Sequence, residues 1–118
     1  MKIKNELVKQ FPDYFFEQDC FFYIGKMTVN NDVYQFYQCQ HIFGNSRMSW
    51  RLVVEKNNII KGFYSGIQMV PKIEDSFLVF DVDENIGSRI DFTSKIPDEV
   101  YIDGEKFKFT YIEENQIE

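Results

Sequence analysis

The side chains with chemical potential are few. His41 is the single histidine, and Cys39 precedes it by two positions; Cys20 is the only other cysteine. Residues two apart on a strand share a face, so a Cys39–His41 contact is open. A nucleophilic cysteine also needs an electropositive setting and an oxyanion hole, and the sequence announces neither. One histidine excludes a two-histidine metal site, and cysteines this far apart lack the close pairing of a zinc motif. The stretch Asp81-Val82-Asp83-Glu84-Asn85-Ile86-Gly87 offers carboxylates at alternate positions, as a calcium loop does. Its glycine comes one place late, however, and Phe92 stands where a bidentate Glu is needed. An acidic turn explains it better. Neither a glycine-rich phosphate loop nor a serine elbow occurs. The expectation is a protein without enzymatic activity, cofactor or metal.

The elements that position these groups are mostly strands. Ile3, Leu7 and Val8 recur at helical spacing up to about Gln10, and Pro12 ends the helix near Phe11. Phe15 and Phe16 are expected to tuck beneath it. Runs at 20–29 and 33–43 flank Asn30-Asn31-Asp32 and predict a hairpin. Met48, Trp50, Leu52 and Val54 alternate with Ser49, Arg51 and Glu55, predicting a strand with one wet face. After the turn Lys56-Asn57-Asn58, a strand at 59–70 is interrupted by Gly62 and Gly66, which suggest bulges or bends. A turn at 71–75, a buried strand at 76–82, a loop at 84–88 and a short strand at 89–93 follow. Asp103-Gly104 between 100–102 and 107–111 predicts a tight hairpin. The tail at 113–118 is expected to fray. The fold class is α+β, mostly β: one N-terminal helix packed on a curved antiparallel sheet of about seven or eight strands. Its architecture is a meander, half-barrel or sandwich, and residues 1–118 form a single domain.

Composition narrows the function. The chain has 13 Phe and 7 Tyr in 118 residues, a surplus that suits pleated, half-buried surfaces and a Phe-filled core. Its net charge of −6 opposes direct nucleic-acid binding. The charge is uneven: residues 1–58 hold seven Lys or Arg against six Asp or Glu, and the remainder holds six against thirteen. If those carboxylates converge on one face, that face steers a basic partner. No apolar run is long enough to span a bilayer and no signal peptide is visible, so a cytoplasmic protein is expected, with both thiols free and buried.

In its length, its acidic C-terminal half, its Phe- and Tyr-rich strands and its want of catalytic motifs, the chain resembles bacterial immunity proteins. These include those paired with contact-dependent inhibition toxins and nuclease bacteriocins. That resemblance implies a stoichiometric complex blocking a basic, cognate toxin domain. Contacts would come from Asp81, Asp83, Glu84 and Asp91, with Tyr64 and Tyr101 as aromatic anchors. The alternative is a small-ligand-binding half-barrel whose aromatic-lined pocket uses Tyr34, Tyr37, Trp50 and His41 as polar handles. A filled core would remove that option.

Overall fold

A computed structural model describes residues 2–42, 48–81 and 88–112. It contains α1 (Lys2–Gln10) followed by β1 (Cys20–Val29), β2 (Asp32–Ile42), β3 (Met48–Lys56), β4 (Ile59–Ser65), β5 (Lys72–Glu74), β6 (Phe77–Phe80), β7 (Ser88–Asp91), β8 (Glu99–Ile102) and β9 (Glu105–Tyr111). All pairings are antiparallel. Six strands form one sheet in the order β1-β2-β3-β4-β9-β8, and β5-β6-β7 form a second. β5 lies against β1 and β7 against β8, but no ladder joins the sheets among the described residues. Of the expected architectures, the sandwich is the one observed.

Local chemistry accounts for the hairpins. Asn30-Asn31, Asn57-Asn58 and Asp103-Gly104 each place two consecutive residues at positive φ. That is the geometry of a two-residue turn matching the right-handed twist of its strands, and Asn, Asp and Gly tolerate it best. Asp32 and Lys56, expected within turns, instead close the ladders as the partners of Val29 and Ile59. Gly62 sits where β4 bulges: Gly62 pairs with Val54 and Ile60 with Glu55, which leaves Lys61 as the extra residue. A Cβ on Gly62 would stand 2.0 Å from the Thr110 carbonyl oxygen, so only glycine lets β9 pair with β4. The segment at 71–75 is not wholly a turn, for Lys72–Glu74 pair with β6.

Two cores flank the large sheet. Between the sheets, Tyr34, Phe36, Leu52, Val54, Tyr64 and Phe109 meet Leu78, Phe80, Ile90 and Phe92. On the opposite face Leu7, Phe15, Phe21, Tyr37, Val53 and Phe63 pack together, with Val8, Phe11 and Tyr14 against them. The helix continues through Phe11 N–H to the Leu7 carbonyl (2.8 Å) and Phe15 N–H to the Phe11 carbonyl (3.1 Å), and Phe15 drops fully into this core. β3 is therefore covered on both sides. The wet face expected for it is absent, since Glu55 is buried and Arg51 half-buried beneath the N-terminal segment. No helix among the described residues is long and apolar enough to cross a membrane.

Candidate functional site

The densest polar chemistry lies under the helix. Cys39 and His41 do share a face of β2, as their spacing requires, and both are buried. Their common partner is Asp19, a fully buried residue in the loop before β1. Its Oδ2 lies 2.8 Å from His41 Nδ1 and 3.8 Å from Cys39 Sγ, and it accepts the Phe16 N–H at 3.0 Å. The Asp19 N–H returns to the Phe16 carbonyl at 3.0 Å, so a single turn aims the carboxyl inward. Phe16 covers His41, ring to ring at 4.6 Å. Across the β2–β3 ladder Cys39 faces Arg51, whose Nη1 donates to the Tyr14 carbonyl. The guanidinium also stacks on Phe63 at 4.3 Å.

This geometry opposes nucleophilic use of Cys39. Burial, reinforced by the Asp19 charge, pushes the thiol well above its usual range, so sulfur keeps its proton. His41 and Cys39 converge on one carboxylate oxygen, whereas a catalytic triad interposes the histidine between nucleophile and acid. Burial also lowers the Arg51 guanidinium, against the pull of Cys39 and Asp19. Farther along the same face Tyr37 donates to Glu55 Oε1 (3.2 Å), and Tyr23 donates to Gln35 Oε1 (2.9 Å). Burial and then the Glu55 charge raise Tyr37 to about 12, while burial raises Glu55 against the hydrogen bond from Tyr37. Asp19 escaped sequence reasoning. Its position, three residues after Phe16 and directly before the aromatic strand that opens at Cys20, was the available signal, but Glu17 close by looks no different in sequence.

The expected partner-binding residues scatter. Tyr64 is no surface anchor: it is fully buried between the sheets, and its hydroxyl donates to the Pro97 carbonyl at 2.7 Å. Alternation along β4 sends it inward with Gly62, opposite Leu52. Asp83 and Glu84 lie outside the described residues, as do 82–87 of the calcium-like stretch and expected loop and the tail at 113–118, while Ser88, expected in that loop, opens β7. Asp81 and Asp91 are both exposed but stand at opposite ends of the small sheet. Asp81 follows Phe80, which pairs with Ser88, whereas Asp91 pairs with Phe77. Asp91 is held below the usual carboxylate range by hydrogen bonds from Thr93.

Register also breaks up the negative face. Glu99 pairs with Lys108 and Tyr101 with Lys106. A cleft of about 470 Å³ is rimmed by Lys56, Lys61 and Lys95 over Ile60, Ile96 and Tyr111. The β8–β9 corner carries carboxylates beside Lys106. There Tyr101, Asp103 and Glu105 are exposed, and the Asp103 N–H bonds Ser88 Oγ at 2.8 Å, tying the corner to the start of β7 beside Asp81.

The four residues expected to line a ligand pocket do not share one cavity. Tyr34 packs between the sheets and Trp50 shares that face of the large sheet by register, whereas Tyr37 and His41 lie on the opposite face, His41 under Phe16. Of the thiols, Cys39 is buried as expected but Cys20 is exposed, and both are free. No protein-family model, curated protein or solved structure matches the chain.

Proposed function

We propose that this protein is a non-catalytic inhibitor of the immunity type, which neutralises a basic toxin domain by binding it through the β8–β9 corner. One observation carries the reading: Tyr101, 61% exposed on an end strand, stands between exposed Glu99 and Asp103 two residues to either side, with Lys106 facing it across the β8–β9 ladder. Carboxylates accelerate encounter with a cationic surface, and a desolvated aromatic at their centre slows dissociation. Asp81 joins them through Ser88, and Asp83 and Glu84 follow it in sequence. Asp91, at the far end of the small sheet, belongs to a different surface.

The test is calorimetric titration against the protein encoded beside this one. A one-to-one complex is expected, weakened by salt. Tyr101→Ala should raise Kd at least tenfold, equivalent to ~1.4 kcal/mol. Asp103→Lys should mainly slow association. A tight complex indifferent to both changes, or no complex at all, overturns the reading.

A further inference from the structure

The buried cluster brings together a sulfur, a nitrogen and an oxygen donor. Cys39 and His41 project in parallel from β2, which is held on both sides by β1 and β3. The Phe16–Asp19 turn delivers the carboxyl to them. Asp19 oxygen, Cys39 Sγ and a His41 ring nitrogen all lie within 4.8 Å of one another. In a tetrahedral site with metal–ligand bonds of about 2.0–2.3 Å, neighbouring donors stand about 3.3–3.6 Å apart. The observed 2.8 Å (Oδ2 to Nδ1) and 3.8 Å (Oδ2 to Sγ) bracket that separation. Sulfur and imidazole both face one carboxylate oxygen, so losing the intervening hydrogens leaves three lone pairs aimed at one small volume.

A second observation concerns Arg51. It faces Cys39 across the ladder, and its buried Nε has no acceptor among the described residues. A protonated thiol offers this cation no charge. A thiolate would.

We propose that Asp19, Cys39 and His41 bind a thiophilic transition-metal ion, Zn²⁺ or Cu⁺. On binding, the Cys39 S–H bond breaks, its proton leaves to water and a sulfur–metal bond forms, with no electron transferred. Exchanging one proton for Cu⁺ preserves the balance between Asp19 and Arg51. Zn²⁺ adds a positive charge beside Arg51 and needs an anionic fourth ligand to offset it. Three strands separate β2 from β8 in the sheet, so this site stands or falls independently of the Tyr101 corner.

The experiment titrates the metal-free full chain with Zn²⁺, and anaerobically with Cu⁺ buffered by a chromogenic chelator. Stoichiometry and thiolate-to-metal charge-transfer absorption are recorded. One ion per chain is expected for at least one metal, with the absorption band. Cys39→Ser, close to isosteric, should abolish the band and weaken binding at least tenfold; His41→Asn should weaken it similarly, and Cys20→Ser should change nothing. Stoichiometric uptake of neither ion, or equal uptake by Cys39→Ser, overturns the proposal. Should His41→Asn fail to fold, the wild-type band and its loss in Cys39→Ser still decide the matter.

Discussion

The two faces of the six-stranded sheet are built on opposite principles. The inter-sheet face is closed by interlocked rings, with Phe92 against both Tyr34 and Phe36 at 5.2 Å. Such a core gains its stability from area removed from water and from close packing. The helix-covered face buries aromatics too, but threads them with Asp19, Cys39, His41, Arg51, Tyr37 and Glu55. Burying those groups costs free energy unless every partner is present. What they add is directional: Asp19 and Arg51 fix residues 14–19 to β2 and β3 by hydrogen bonds that only one docking position satisfies. One face supplies most of the stability and the other fixes where the N-terminal segment sits.

Truncating the apolar face should have the largest effect. Phe92→Ala removes a fully buried ring and is expected to cost about 3–5 kcal/mol in urea unfolding. Asp19→Ala leaves His41, Cys39 and the Phe16 N–H without their common acceptor, with an expected cost of about 3 kcal/mol. A loss for Asp19→Ala below that of an exposed change would erase the contrast between the faces.

Smaller still is the alkaline effect. Cys39 and Tyr37 are raised above their ordinary values of 9.0 and 10.0, so the folded state holds their protons more tightly than the unfolded chain. Their contribution is complete below those values and is lost as pH rises through them. Melting temperature should decline above about pH 9, and the decline should be shallower in Cys39→Ser and in Tyr37→Phe. Tyr64, raised by burial, adds a like contribution from the inter-sheet side. A profile flat into the alkaline range would contradict this assignment.

The hairpins were legible because Asn30-Asn31, Asn57-Asn58 and Asp103-Gly104 carry their conformation in their own side chains. So was the helix, from Leu7 and Val8 to the break at Pro12. β5 was hidden, since three residues cannot display a period and Pro71 reads as a turn. The cover over β3 was also hidden. Ser49, Arg51 and Glu55 look solvent-facing until the N-terminal segment folds over them, although Val53 among them hinted at burial. The cluster was half visible: Cys39 and His41 share a face by spacing, while Asp19 joins them only through tertiary contact 20 and 22 residues away in sequence. Tyr64 and Tyr101 look alike in sequence. Only strand register sends one into the core and the other to the surface.

Native-state hydrogen exchange on the wild type and Asp19→Ala tests the separation of the two faces most directly. The amides to follow are those of Phe11, Phe15 and Phe16 on one side, and those of Phe92 and the β6–β7 ladder on the other. The expected result is a lower-energy opening confined to the N-terminal amides, which lose nearly all protection in the variant while β6–β7 still exchange slowly. Exchange of both groups through one common unfolding step, in both proteins, would contradict it.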